Sequence, residues 1–486
     1  MAGFGVTLRP GFRNSIRQAT VTENRAKADR RAGGIDRSGY GSVPSHTTST
    51  APLAALGPEV DENMPVTPRD MPWLRLFQIR PIKIFFSTAS SETGKLPGIA
   101  HLRGPMTILN EELKRDLINR GFSRRNFGRI AAMVTAGATL PFYNEPALAQ
   151  LSKVNAPPDA VLINANENPL GPCPEAREAA AKMIEFGGRY RYSEADKVKQ
   201  LLAEQEGVKE SHVTIHPGSS GPLHQAVLAF CSPTKPFVMA DPGYEAGGRA
   251  ADFIGAKTYR IPLMADKGYC HDVKAMVAAS PDAGLIYICN PNNPTGTLTP
   301  QADIEWLVAN KPKDAIVMVD EAYTHIAGAP FQSPMVAAGK DVILLRTFSK
   351  IYGMAGLRAG AAIARPDLLQ KISNFSSTMM PITGMAAASA SLQVKDLVPK
   401  RRKLMGEVRE ETFSFLEKHK FTFVPSVSNC FMIDVKRPGG QIVQAMAAEK
   451  IYIGRVWKAW PNHVRVTVGT AEEMKKFQTA FLKVMA

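Results

Sequence analysis

The sequence predicts an α/β protein in two parts: a large domain with a mostly parallel central sheet and helices on both faces, and a smaller C-terminal α+β domain. Three observations carry this. The short apolar runs in "KPFVMADPGY", "GLIYICNPNNPTG", "DAIVMVDEAY" and "DVILLRTFSK" have the length and near-continuous apolarity of strands buried on both faces. Amphipathic stretches lie between or after them, such as "QADIEWLVANK" following the turn at Thr299 and Pro300, and such alternation builds parallel sheets. From about residue 391 the texture changes to a long charged helix, "KDLVPKRRKLMGEVREETFSFLEKHK". The strand-like "NCFMIDV" and "HVRVTVG" follow it.

The bulk numbers fit this frame. With 486 residues and 44% apolar composition the chain can bury a large core. The net charge of +15 divides into +8 over residues 1–150 and +7 over the rest, so the α/β part is only mildly basic. That balance suits an anionic ligand and does not require nucleic acid. The cysteines Cys173, Cys231, Cys270, Cys289 and Cys430 are scattered, odd in number and without metal-ligand spacing, so neither a disulfide framework nor a metal site is expected. Cys289, inside "LIYICN", reads as a small core residue.

Taken in order, residues 1–105 are rich in Gly, Ser, Thr, Pro and Arg, with "SGYGSVPSHTTSTAPLAALGP" compositionally a disordered run. They are expected to be disordered or to lie upstream of a true start at Met106; the basic, acid-free opening also admits an organellar targeting reading. Residues 106–150 carry "SRRNF", an uncharged run from Ile130 to Asn144 and "ALA" at 147–149. This is the layout of a bacterial export signal, with Arg124 and Arg125 as in the twin-arginine type. The plainer reading is a chance Arg pair beside a short core helix. The run is too short and too rich in Ala, Gly and Thr to span a membrane. The expected destination is the periplasm or the exterior, or the cytoplasm if the signal is unused. Residues 151–190 are expected to form an N-terminal arm, 191–390 the large domain and 391–486 the small one.

The chemistry sits where the apolar runs end. Asp241-Pro-Gly-Tyr244, Asn290-Pro-Asn-Asn293, Asp320-Glu-Ala-Tyr323 and Thr347-Phe-Ser349-Lys350 each close a run. Ligands of open α/β sheets bind outside the carboxyl ends of the strands, so these residues point to one shared pocket. A carboxylate and a lysine leaving neighbouring buried strands are costly unless used. A desolvated lysine is a nucleophile toward carbonyls, and the Gly/Ser-rich "PGSSGPLHQAV" before a helix suits a phosphate. Carbonyl, phosphate and a ring nitrogen that wants a carboxylate together describe pyridoxal 5′-phosphate (PLP).

On the ordered motifs "NENPLGP" (166–172), "NPNNPTG" (290–296), "VDEAY" (319–323), "RTFSKIYGMAGLRAG" (346–360) and "VRVTVGT" (464–470), the chain resembles the class I/II, fold-type I PLP-dependent aminotransferases, within them the histidinol-phosphate aminotransferase branch. The resemblance implies that Lys350 holds PLP as an internal aldimine and then moves the proton, in a cycle through pyridoxamine phosphate. Asp320 would pair with the pyridine nitrogen, Asn293 and Tyr323 would bond the phenolic oxygen, and Tyr244 would stack on the ring. Ser219, Ser220, Thr347, Ser349 and Arg358 would hold the phosphate. Arg465 would clamp the substrate carboxylate, with Asn166 and Arg455 as further substrate-binding residues. The fold family implies a homodimer in which Tyr190, or Tyr192, reaches the partner's phosphate.

Plainer readings stand beside several of these. Tyr244 would be a loop aromatic, Ser219 and Ser220 a helix cap, Arg465 a surface strand residue and His325 a packing residue. The loop "GRYRYSEADKVKQLL" lacks the family's Tyr-Pro-Asp form, and Gly-Ser-Ser-Gly replaces the branch's acidic version. "GRVWKAWPNH" places Trp457, Lys458 and Trp460 near Arg455, which favours an aromatic or anionic side chain, or else is rim packing. The leading expectation is an exported aminotransferase working between an amino donor and a 2-oxo acid. A fold-type I decarboxylase of the threonine-phosphate decarboxylase kind shares the same residue set. A DNA-binding regulator would need a helix-turn-helix pattern in 1–120, and none is present.

Overall fold

The four apolar runs are strands, and all four lie side by side. In the computed structural model, which describes residues 109–376 and 378–486, β1 (Val161–Ile163) is followed by β2 (Val213–His216), β3 (Phe237–Asp241), β4 (Thr258–Pro262), β5 (Leu285–Cys289), β6 (Ile316–Asp320), β7 (Val342–Thr347) and β8 (Gly360–Ala364). Strands β2 to β8 form one seven-stranded sheet in the order β2-β8-β7-β6-β5-β3-β4. Pairings from β4 across to β7 are parallel, while β8 runs antiparallel to both β7 and β2. Every residue of β5, β6, β7 and β8 is buried, as strands covered on both faces require.

The C-terminal part adds β9 (Thr422–Val424), β10 (Cys430–Asp434), β11 (Ile451–Ile453) and β12 (His463–Thr467). β12, β10 and β9 form an antiparallel sheet, and β11 pairs in parallel with β1. The long charged helix is Leu397–Lys418. Among the described residues two main apolar cores result, beside a small cluster of Val424, Met432 and Trp457. The larger gathers around the seven-stranded sheet, and the smaller joins Phe431, Val464, Val466 and Phe477 with Val161 and Ile163 of β1. The arm after residue 150 therefore supplies a strand to the C-terminal unit before the chain enters the large sheet.

Residues 109–150, read in sequence as an export signal, are folded onto the large core. Helix Glu111–Asn119 begins at Asn110, whose side chain accepts from the Leu113 N–H at 2.7 Å. Leu117 and Ile130 are fully buried, and Met133 and Phe142 join the same core. Arg120 donates to the carbonyls of Leu228 (2.6 Å) and Cys231 (2.9 Å), and Asn126 to that of Ile254 (2.7 Å). These bonds tie the segment to the ends of helices Ser220–Phe230 and Ala246–Ile254. No helix among the described residues is long and apolar enough to cross a membrane. The expectations for 1–105 and for a start at Met106 lie outside the described residues.

Candidate active site

The carboxyl ends of β3, β5, β6 and β7 open onto one cavity of about 300 Å³. Ser219, Ser220, Tyr244, Asn293, Asp320, Tyr323, Thr347, Ser349, Lys350 and Arg358 all line it. Parallel register explains the convergence. Cys289 at the end of β5 lies opposite Asp320 at the end of β6, so the loops that follow leave the sheet at one height.

Lys350 follows β7 and turns its amine back over the cavity. Its Nζ donates to the carbonyls of Asn166 (2.9 Å) and Ala165 (3.4 Å) and lies 5.5 Å from the centre of the Tyr323 ring. Burial lowers its pKa below the usual lysine range, against the opposing pull of the Glu145 carboxylate. Asp320 is buried, and burial raises its carboxyl to about 6. That rise is held in check by two donors: the Tyr287 hydroxyl on Oδ2 (2.9 Å) and the Ala322 N–H on Oδ1 (3.2 Å). Such a carboxylate is poised to hold a cationic ring nitrogen.

The phosphate end is built from hydroxyls, a guanidinium and a helix start. Thr347 Oγ1 donates to Ser349 Oγ at 2.9 Å, and Arg358 Nη1 approaches the same oxygen at 3.4 Å. Arg358 is fixed by the carbonyls of Ala355 (2.9 Å) and Pro217 (3.1 Å). Gly218, with φ +86°, is required here because a Cβ would run into the Arg358 guanidinium. Ser219 precedes helix Ser220–Phe230 and makes no side-chain cap bond, which leaves the N-terminal amides of that helix for an anion. Buried carboxylate at one end, amine in the middle and anion cradle at the other match the donors and acceptors of PLP. The cavity's volume also falls within the usual range for small-ligand sites, about 300–1,000 Å³.

The substrate side is Arg465, a fully buried residue of β12 rather than a surface strand position. Its Nη1 donates to Asn293 Oδ1 (3.0 Å), and its Nη2 to the Asn164 carbonyl (2.6 Å) and to Glu145 Oε1 (2.8 Å). Arg455 reaches the same Glu145 oxygen at 3.3 Å and also pairs with Glu245. Asn166 sits behind the cavity wall with φ +53°. Its amide nitrogen reaches the Tyr323 hydroxyl (3.1 Å) and Asn293 Oδ1 (3.4 Å), and its oxygen accepts from Thr467 (3.0 Å). Trp457 is buried under Arg455, with its ring centre 4.0 Å from the guanidinium and its indole N–H on the Gly243 carbonyl. Lys458 is exposed and Trp460 packs edge-on against Tyr269, so neither of them lines the cavity. His325 packs between Phe331 and Tyr352.

Tyr190 does not approach this chain's own cavity. It is 68% exposed beside helix Tyr192–Glu206, stacked on Tyr192 at 6.0 Å. Sequence reasoning missed Tyr287 and Glu145. Tyr287 is hidden inside an apolar strand two residues before Cys289, a pleat position that faces the same side as the strand end. Nothing in the local pattern around Glu145 marks it as part of the site.

A large α/β unit with this cavity at its strand ends, backed by an arginine of a smaller α+β unit bonded to Asn293, defines a PLP-dependent aminotransferase of fold type I. The chain belongs to the aminotransferase class I and II family, whose model matches residues 158–481. It is 30% identical over 336 residues to the histidinol-phosphate aminotransferase of Moorella thermoacetica, covering 68% of this chain and 86% of that protein. Among solved structures it resembles a putative histidinol-phosphate aminotransferase from Erwinia carotovora atroseptica (30% identity, TM-score 0.64, 68% of this chain and 98% of that one). It also resembles the Sinorhizobium meliloti histidinol-phosphate aminotransferase in complex with pyridoxal-5′-phosphate (25% identity, TM-score 0.62, 72% and 96%).

Proposed function

We propose that Lys350 is the residue that binds PLP covalently and carries the proton of transamination, and that Arg465 and Arg455 select an amino donor bearing an anionic group. The carrying observation is the meeting of Lys350 and Asp320 in one cavity, with Arg465 bonded behind its wall to the lining residues Asn293 and Glu145. When bound, PLP supplies a ring that withdraws electrons from the amino acid's Cα–H bond. Asp320 holds the proton on the ring nitrogen. Asn293 and Tyr323, linked through Asn166, would bond the phenolic oxygen. Lys350 Nζ, its basicity lowered by burial, would take the proton from Cα and pass it to the cofactor's aldehyde-derived carbon, and would run the same transfer in reverse with the second substrate. Tyr244 would cover the ring, and Ser219, Ser220, Thr347, Ser349 and Arg358 would hold the phosphate.

The substrate anion is a carboxylate or a phosphate. Both suit paired guanidiniums, and histidinol phosphate, after which several relatives are named, would offer the second. A panel of amino acids and amino phosphates, with product 2-oxo compound and cofactor absorbance followed together, tests the reading. It fails if no anionic donor turns over better than a neutral one of equal size.

Two further parts belong to this reading. Tyr190, exposed and unused in its own subunit, reaches the phosphate site of a partner subunit in a homodimer. Export by the twin-arginine route is supported by the motif order and by the exposure of Arg124 and Arg125 at the start of helix Arg124–Ala136. Fractionation of cells making the full chain or its R124K/R125K variant checks this, and equal periplasmic yield from both rejects it.

A further inference from the structure

Residues 142–146 lead the chain into the cavity, which Asn144, Glu145 and Pro146 line, and are held by four contacts that have no part in the reaction. Phe142 packs on the rings of Phe253 (5.5 Å) and His224 (6.1 Å). Tyr143 stacks on His224 at 4.8 Å with an 11° interplanar angle, and its carbonyl lies 2.8 Å from His224 Nε2. Burial holds the His224 pKa down near 4, so the neutral ring donates its Nε2 proton to that carbonyl. Glu145 then enters the cavity that Lys350 and Asp320 line, and places its carboxylate on Arg465 and Arg455.

A purely structural salt bridge would close its own hydrogen bonding. This one does not. Glu145 Oε2, Arg465 Nε and Arg455 Nη2 are all buried, and none has a hydrogen-bond partner among the described residues. Buried donors without partners are rare and ask for an explanation. Here the two guanidiniums present more donors than one side-chain oxygen can use, as expected of a clamp built for a ligand other than the one it holds. Glu145 is the stand-in: its carboxylate represents a substrate anion. The segment that carries it is short and is followed by exposed chain. After the four-residue helix Glu145–Leu148 the chain runs through Ser152, Lys153, Val154 and Asn155, which are all exposed.

We infer that residues 142–149 are an internal pseudo-substrate strap, in which Glu145 occupies the anion subsite of Arg465 and Arg455 and excludes the amino donor until the strap withdraws. The inference rests on reading that pair as the substrate clamp. Glu145 bonds none of the phosphate-end residues, while the Tyr143 hydroxyl of the same strap lies beside Gly221 at the start of helix Ser220–Phe230. Cutting or pulling the leader during export would be one way to open the site.

The test uses the full PLP-loaded chain and glutarate, a dicarboxylate with no amino group to transfer. Glutarate should bind Glu145→Ala about 5- to 150-fold more tightly than the wild-type chain, the usual range of coupling between competing ligands. Equal or weaker binding overturns the strap. Should the variant fold poorly, hydrogen exchange on the wild-type chain decides. Concentrated glutarate should speed exchange at the amides of Ala147, Leu148 and Ala149 by about tenfold or more, the same coupling seen from the other side, and leave helix Ser220–Phe230 unchanged. Unchanged or slowed exchange at those three amides overturns the proposal. Cofactor absorbance is recorded alongside. If no bound cofactor forms while glutarate still discriminates, the catalytic reading fails and the strap stands.

Discussion

Tyr287 on β5 donates its hydroxyl to Oδ2 of Asp320 on β6 across 2.9 Å, and both side chains are buried. Burial drives the Asp320 carboxyl up to about 6, and this bond is the foremost of the contacts that resist the rise. Hydrogen bonds to charged groups contribute about 1.5–3 kcal/mol. Tyr287→Phe should therefore raise the carboxyl further and weaken PLP binding at neutral pH by about ten- to a hundredfold. Fluorescence titration of the apoprotein checks this, and unchanged affinity would show that Tyr287 only packs.

Among the described residues Lys350 is the one amine lining the cavity, and its nearest bonds are to backbone carbonyls rather than to a carboxylate. Lys350→Ala should still take up PLP through the phosphate cradle but release it on dialysis, without the absorbance of a lysine-linked cofactor. Turnover should fall by at least about 10²–10⁴, the usual contribution of a positioned proton carrier. A retained, dialysis-resistant chromophore in that variant would move the attachment elsewhere.

Gly218 tests the phosphate end separately. Its φ of +86° costs a non-glycine residue about 1–2 kcal/mol, and the new Cβ would push on the Arg358 guanidinium. Gly218→Ala should lower PLP affinity about tenfold, a loss that matches the strain. Inorganic phosphate binding should weaken in parallel. If PLP affinity falls while phosphate binding holds, the displaced group is not the phosphate grip.

Much of this was legible because the sequence writes strand ends plainly. Asp320, Lys350, Asn293 and Tyr323 each follow a buried apolar run, and parallel topology then forces them together. Arg465 lies far away in sequence, on a strand of the other unit, and was reached through a motif rather than through periodicity. β8 was not singled out because "GAAIA" is short, small and uniformly buried, with no alternation to read. Tyr287 and Glu145 were hidden for a different reason. Their roles depend on which atoms face each other across elements, and hydropathy carries no such information.

Arg346, one residue before Thr347, is buried among charges that the motif reading passed over. Its guanidinium makes two 2.8 Å bonds to Glu206, pairs with Glu321 and lies 4.4 Å from the centre of the Phe331 ring. Removing one partner of such a group leaves buried carboxylates uncompensated, which costs about 3–5 kcal/mol. Arg346→Met should lower unfolding stability by that amount in urea, with lysine-linked cofactor absorbance still forming in the folded fraction. A loss under about 1 kcal/mol would mean that water reaches the cluster and screens it, as at an exposed pair.

The Glu145 clamp makes a prediction about pH. Burial alone would raise its carboxyl, but the charges and hydrogen bonds of Arg465 and Arg455 outweigh that and hold it at about 2, against 4.5 for a free glutamate. A depressed folded-state pKa stabilises the fold wherever the free carboxyl is already ionised. The contribution is therefore complete above about pH 4.5 and is lost as pH falls toward about 2. At about 1.4 kcal/mol per unit it amounts to roughly 3 kcal/mol. Glu145→Gln should be less stable than wild type by about that much at neutral pH, and the gap should narrow to about half or less as unfolding is repeated between pH 5 and about 3, as the linkage requires. Other carboxylates titrate in both proteins and cancel in the difference. A gap that stays constant with pH would place the cost of the substitution in packing, and the carboxylate on the arginines would then be incidental to how the strap is held.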